Sequence, residues 1–355
     1  MFLFYVMEEE WEMLYGRLTY CRPGKPKGFV NVGDYFQTFA IDYIYANMGI
    51  AHSEIINIDR HALESYVGEA VTLPLNAWFG YREDTCRFSK NIKPVFIGYH
   101  NLDKNVNIEM SQYGMIGCRD EATYQVLSRA GIHAYISGCM TVLFPKRDLT
   151  PQKEKIFLVD LPQSVMKIIP GEIKEKAELI SHEIRIDENA DDAHEQRRLE
   201  AKAREILIRY REEATLVITS RLHAALPCMA MGIPVILLRE GVDERFTFLD
   251  KFIPIYNTKD KEVLTKIKWQ GHTTDIEQFK KEVMSCACEA IKGTLSEQKA
   301  MGIHDCYMDR DRTEISIPFM VKAYENLHRQ FPGLADFIRE KILFRFTIAS
   351  SREGK

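Results

Sequence analysis

The chain lacks most of the features that would narrow its function at once. It carries no basic excess: 47 Lys and Arg stand against 51 Asp and Glu, a net charge of −4. The electrostatic footprint of a nucleic-acid binder is therefore missing, and no nucleic-acid partner is expected. No apolar run approaches the ~20 residues that span a bilayer. The opening MFLFYVM has no basic n-region and runs straight into EEE, so it reads as a strand rather than a secretory signal. Cysteines number eight but are scattered, and the close pair Cys286 and Cys288 has a spacing suited to neither zinc nor a disulfide. They are expected to be reduced thiols of a cytoplasmic protein. No His/Cys/Asp cluster has metal-ligand spacing, so no metal and no cofactor is expected. There is no P-loop, no G-x-G-x-x-G and no G-x-S-x-G elbow. Internal repeats and low-complexity tracts are missing as well.

What is present is an ordinary globular composition, 46% hydrophobic and 28% charged, in 355 residues. That length is too great for one ordinary core and suggests two domains. Apolar, β-branched runs read as strands at 17–21, 54–59, 69–79, 93–100, 114–120 and 133–138. Helical periodicity lies between them over 31–49, where Phe36, Phe39, Ala40, Tyr43 and Ile44 form a stripe and Gly49 supplies the stop, and again over 121–131. Charge and proline concentrate in FPKRDLTPQKEK (144–155), the expected linker. Beyond it, IFLVDLP and KAELISHEI read as one strand each. A long helix follows over 195–214, buried through Leu199, Ala203, Ile206, Leu207 and Tyr210. TLVITS, a short apolar helix and IPVILL then make a compact β-α-β unit. Strands alternating with helices imply parallel sheets covered on both faces. The expected division is 1–145, 146–312 and a helical segment 313–355. In that tail Leu334, Phe337, Ile338, Ile342, Leu343 and Phe346 fall at helical spacing, with Arg339, Lys341 and Arg345 between them. A packed terminal helix and an interfacial helix on an acidic membrane both fit.

The chemistry concentrates where strands meet helices. Ligands of open parallel sheets sit at the carboxyl ends of strands, facing helix N-termini. In TSRLHAALPC, Ser220 is placed to cap the helix, and the amides of its first turn attract anions. Arg221 adds a planar fork for carboxylate or phosphate, and His223 exchanges protons near neutral pH. Together they describe a receptor for a small polyanion with an acid–base group beside it. The structural alternative pairs Arg221 and His223 with neighbouring carboxylates. In NVGD, Asn31 suits sugar hydroxyls and Gly33 permits a tight turn. Asp34 suits a cap with Gln37 at capping-box spacing and equally the acceptance of a proton from a hydroxyl, two roles that are compatible. Arg119 beside Asp120 and Glu121 reads first as a helix-start ion pair. Trp78, Arg82 and His100 lie in aromatic-polar strand ends that suit sugar stacking or packing. His182 and His194 read as surface or structural histidines.

These stretches, in this order, resemble the polysaccharide pyruvyl transferase family. NVGDYFQTFAIDYIYANMG resembles its glycine-Asp helix, and LNAWFGYRED with KPVFIGYHN its Asn-x-Trp-Phe segment and His-ending strand. GCRDEATYQVLSRAGI is similar to its Arg-Asp helix start, and VITSRLHAALPCMAMGIPVILL to its Ser-Arg-Leu-His motif. Ala77 stands where many members carry glycine. The resemblance implies an α/β fold of two Rossmann-like domains facing across a cleft, GT-B-like, the C-terminal helix returning to the first. It implies phosphoenolpyruvate as donor and two sugar hydroxyls as acceptor, giving a pyruvyl ketal in capsule or exopolysaccharide synthesis. The acceptor would be a lipid-carrier-linked glycan at the cytoplasmic membrane face. In that setting Arg221 holds the donor, His223 and Asp34 handle protons, and Arg119, Arg245 and Arg82 supply further positive charge. Asn31, Gly33, Ser220, Trp78 and His100 complete the expected substrate contacts. A GT-B glycosyltransferase using a nucleotide-sugar, and a non-catalytic glycan-binding protein of the same fold, remain the alternatives.

Overall fold

The computed structural model describes residues 14–20, 28–79, 87–101, 108–148, 150–151, 153–187, 189–241 and 243–313. Arg82 and the expected tail helix beyond residue 313 lie outside them. The described part is mixed α/β, built on parallel sheets.

The first half runs β1 (Leu14–Thr19), β2 (Phe29–Asn31), α1 (Tyr35–Met48), β3 (Ile55–Asp59), β4 (Val71–Leu75), β5 (Ile92–Phe96), β6 (Ile116–Cys118), α2 (Glu121–Arg129) and β7 (Ala134–Ile136). Its main sheet is parallel in the order β3-β1-β4-β5. A bridge between Tyr99 and Cys118 leads on to the parallel β6-β7 pair. The second half runs β8 (Lys155–Val159), α3 (Gln163–Met166), α4 (Gly171–Lys176), β9 (Ala177–Ile180), β10 (Glu183–Arg185), α5 (Asp192–Glu213), β11 (Ala214–Thr219), α6 (Leu222–Ala230), β12 (Val235–Arg239), β13 (Ile255–Asn257), α7 (Lys261–Thr265), α8 (Glu277–Lys292) and α9 (Glu297–Met308). Its sheet is parallel in the order β13-β12-β11-β8-β9.

Period-two alternation sets the two faces of this second sheet. Leu158, Leu216, Ile218, Ile236 and Leu238 point into a core beneath α3 and α4. Phe157, Val159, Val217, Val235 and Leu237 point into a larger core continuous with the first half. Helix α1 lies in that shared core and is buried on more than the single stripe expected, through Tyr35, Gln37, Thr38, Ile41 and Tyr45 as well. The reason is tertiary: β1 covers one side, and α5 with a 3-10 turn at Met140–Leu143 covers the other. Gly49, left-handed at φ 77°, ends α1, with Ile50 N–H closing back onto the Tyr45 carbonyl.

KAELISHEI forms two strands rather than one. β9 extends the second sheet, whereas β10 turns away and pairs antiparallel with β2 of the first half, Ile184 opposite Val30. Just before it, the His182 carbonyl accepts from Val32 N–H at 2.8 Å. The segment leading into α1 is thus hydrogen-bonded to the second half. Helices α8 and α9 also cross back: Ile136 N–H of β7 donates to His304 Nδ1 at 3.2 Å, and Cys286 meets the Tyr135 hydroxyl. No described helix is long and apolar enough to cross a membrane.

Both sheets reverse strand order beside a central strand, the first between β1 and β4 and the second between β8 and β11. Such reversals open a crevice at the carboxyl ends of the strands. Asn31, Asp34 and Trp78 lie near the first crevice, and Asp160, Ser220 and Arg221 at the second.

Candidate active site

One cavity of about 200 Å³ lies between these two crevices. Asn31, Asp34, Trp78 and Arg119 line it from the first half; His182, Ser220, Arg221, Leu222, His223, Arg239, Arg245 and Phe246 line it from the second. Four arginines and one carboxylate make a lining that favours anions, and the volume suits a small ligand rather than a drug-sized one of ~300 Å³ or more.

At its centre His223 Nδ1 lies 3.1 Å from Asp34 Oδ1, joining the start of α6 to the start of α1. Asp34 occupies the N-cap position of α1 yet makes no capping bond with its side chain. Gln37 is not its capping partner either, its amide facing the Tyr20 hydroxyl. The carboxylate is 37% exposed and the imidazole 9%, so the acid is the more open member. Behind the ring, Nε2 faces Cys139 Sγ at 3.9 Å, and Thr141 donates to that sulfur. Burial by itself lowers the affinity of His223 for a proton, but the bonds to Asp34 and Cys139 outweigh it and its pKa is raised. Burial raises Cys139, while His223 and Arg119 pull it down, and the net shift is downward.

Ser220 does not cap α6. Its hydroxyl donates to the Asp160 carbonyl at 2.7 Å, while Thr219 Oγ1 accepts from Arg221 N–H at 2.9 Å. Arg221 takes the N-cap position with no side-chain capping bond, so no side chain closes the first turn of α6. Its guanidinium meets Asp160 Oδ2 at 3.1 Å and also Glu183. The pairing with carboxylates expected of a structural role is therefore present for Arg221 and His223 alike, but on residues that also line the cavity. Asp160, at the end of β8, has φ 45°, the one positive value for a non-glycine among the described residues. Bonds from Ser181 Oγ and His182 N–H to its carboxylate hold it there, and such strain collects at functional sites.

Arg119 is 3% exposed and does not pair simply with its neighbours. Asp120 bonds to His100 Nδ1 at 2.5 Å and caps α2 through Thr123 N–H, and Glu121 turns to Arg312 and Tyr307. What remains for Arg119 is Asp120 Oδ2 at 3.9 Å, and its Nε is buried with no hydrogen-bond partner among the described residues. Burial lowers the pKa of His100, helped by Arg119; Asp120, despite burial, is held low by His100 and Arg119. A neutral histidine and an ionised aspartate thus lie behind the guanidinium. His100 itself is wholly buried in that layer and does not line the cavity. Arg245 is clamped by Asp243 through bonds of 2.9 and 2.7 Å. Beside it Arg239 donates to the Ser220 carbonyl at 2.7 Å and stacks over Phe246.

Gly33 lies beneath the cavity rather than in its wall. A Cβ there would come within 2.6 Å of His182 Nδ1 and 3.3 Å of His223 Cβ. His182, expected at the surface or in a structural role, is fully buried and contributes to the cavity; His194 is exposed. Sequence reasoning also passed over Asp160, Arg239 and Cys139. The first two stand at the carboxyl ends of β8 and β12, the position that singled out Arg221, so the same rule could have found them. Cys139 carries no such signal. No described group of three or more His, Cys, Asp or Glu side chains is placed to hold a metal.

Compared with known proteins, residues 96–241 match the family model described as polysaccharide pyruvyl transferase. The match takes in Arg119, His182, Arg221, His223 and Arg239, and leaves Asn31, Asp34 and Trp78 before it. No curated protein matches the chain.

Proposed function

We propose, from the match of residues 96–241 to the polysaccharide pyruvyl transferase family model, that this protein is a transferase whose cavity binds phosphoenolpyruvate and passes its three-carbon unit to a sugar. The observation that carries this reading is Arg119: a buried guanidinium with an unpartnered Nε, lining a cavity that also holds the uncapped start of α6. A buried donor without an acceptor costs about 1–3 kcal/mol, and an anionic substrate removes that cost. Helix N-termini and arginine forks both favour phosphate and carboxylate, and the donor carries both.

The chemistry adds two hydroxyls across C2 of the donor. C3 gains a proton, one hydroxyl oxygen bonds to C2, the second displaces phosphate from C2, and a ketal results. Each hydroxyl gives up its proton, one replacing that spent on C3 and the other leaving with phosphate. Asp34, the exposed member of the pair, receives the hydroxyl proton, and His223 shares it through the 3.1 Å contact. The bond joins the two side chains directly, so acid and base steps belong to the pair. The arginines and the helix start stabilise the negative charge that phosphate gains as its bond to C2 breaks, without a cofactor. Trp78 and Asn31 face the acceptor.

In the same reading the two sheets are the halves of a GT-B-like arrangement, 1–145 on the acceptor side and 146–312 on the donor side, acting cytoplasmically in capsule or exopolysaccharide synthesis. The acceptor is a lipid-carrier-linked glycan. The test is a transfer assay with phosphoenolpyruvate and candidate glycans, scored by phosphate release matched to a pyruvyl ketal on the sugar. Release in step with ketal formation upholds the proposal. Glycan modified only when a nucleotide-sugar replaces phosphoenolpyruvate overturns it.

A further inference from the structure

We infer that His182 is a further substrate-binding residue, presenting a neutral Nδ1–H to an anionic oxygen of the bound donor, with Tyr210 as the residue that fixes this tautomer. The inference rests on the phosphoenolpyruvate reading above.

Backbone and ring of His182 are both held in place. Its N–H donates to Asp160 Oδ2 at 2.9 Å, its carbonyl accepts from Val32 N–H, and Phe36 meets its ring edge to face. The side chain is fully buried, and Nε2 lies 2.8 Å from the Tyr210 hydroxyl. Among the described residues that hydroxyl bonds to nothing else. Burial raises the pKa of Tyr210 well above the ordinary value, so it stays a phenol with one proton to donate. If Nε2 carried the imidazole proton, the phenol hydrogen and the Nδ1 lone pair would both be left buried and unmet. If the phenol donates to Nε2, the imidazole proton sits on Nδ1 and a single N–H is left over. The second arrangement leaves fewer unmet groups, and each such group costs about 1–3 kcal/mol.

That remaining N–H has no partner among the described residues. It lies over Gly33, where a Cβ would crowd it to 2.6 Å, so no residue larger than glycine fits beneath it. Asp34, Asp160, Arg221 and His223 surround the ring, and burial, the largest influence, lowers its pKa to about 4. At neutral pH it is therefore a hydrogen-bond donor and not a fifth cation. A neutral donor adds direction without adding charge to a wall that already holds four arginines.

Donor carboxylate and donor phosphate offer the same acceptor chemistry, and the experiment separates them. Protein labelled with ¹⁵N-histidine is examined for the His182 tautomer, then titrated separately with phosphoenolpyruvate, inorganic phosphate and pyruvate. The expected result is an Nδ1–H tautomer in the free protein whose resonance moves with phosphoenolpyruvate. A matching shift with phosphate alone assigns the phosphate, and one with pyruvate the carboxylate. His182→Asn weakens phosphoenolpyruvate binding by about tenfold to a hundredfold, the loss of one charge-assisted bond. Tyr210→Phe, which keeps the ring in the core, lets the other tautomer appear and weakens binding by about twofold to tenfold. An Nε2–H tautomer in the wild type, or unaltered affinity in both variants while the wild type binds phosphoenolpyruvate, overturns this inference alone. Silence of the wild type towards all three ligands overturns the donor reading and this inference with it.

Discussion

Replacing Asp34 by asparagine removes a charge and keeps nearly the same shape, which separates the two things a residue at the start of α1 can do. As a cap, asparagine serves as well as aspartate, so a capping role predicts little change at any pH. The structure instead turns the carboxylate to His223 at 3.1 Å, with no capping bond. A charge-assisted bond of this kind stabilises by about 1.5–3 kcal/mol when buried. With the Asp34 side chain 37% exposed, solvent screening reduces that to about 1 kcal/mol. The pH dependence has a definite sign. The folded pKa of His223 is raised above its ordinary 6.5, so the folded state holds the proton more tightly. The pair's stabilisation is complete below pH 6.5 and is lost as pH rises through the folded value. Asp34→Asn should therefore lower the melting temperature by about 2 °C below pH 6.5 and leave it unchanged well above that value. Transfer activity should fall by about a hundredfold to ten-thousandfold, the range for loss of a proton-transfer group. The assays are thermal unfolding across pH beside phosphate release. Equal destabilisation at every pH, or activity within tenfold of wild type, would refute the reasoning.

Two further outcomes follow from the same geometry. Arg119→Leu relieves a buried, unsatisfied Nε, so the ligand-free protein should melt no lower than wild type while phosphoenolpyruvate binds about tenfold to a hundredfold more weakly; Arg119→Lys, which keeps the charge without the fork, should recover part of that affinity in calorimetry. His182 resists protonation until about pH 4 against an ordinary 6.5, so the unfolded state binds more protons between those values and stability should decline by up to about 3 kcal/mol as pH falls through that window. His182→Asn should flatten that decline in denaturant titrations.

How far the site could be read from the sequence depended on whether a residue's partner was local. Arg221 and His223 stood out because a strand end and a helix start are set by nearby residues, and the crevice rule then places a ligand there. The pairing of His223 with Asp34 spans 189 positions, and nothing local decides between capping and pairing for that carboxylate. Ser220 failed as a cap for the same reason, since the competing acceptor is the Asp160 carbonyl across the sheet. KAELISHEI looked like one strand because its split arises from pairing with β2 in the other half. The same pairing buries His182, which in a polar stretch carries no sign of its surroundings. The α/β alternation and most strands were legible, with ends moved by a few residues, because periodicity and glycine stops are local signals.

The most direct test of the central claim is calorimetric titration of the wild type and Arg221→Ala with phosphoenolpyruvate, beside UDP and GDP. The account predicts that phosphoenolpyruvate binds the wild type, that binding is lost or greatly weakened in Arg221→Ala, and that neither nucleotide binds. Binding of UDP or GDP with phosphoenolpyruvate silent would contradict it, and would make the cavity a nucleotide-sugar site.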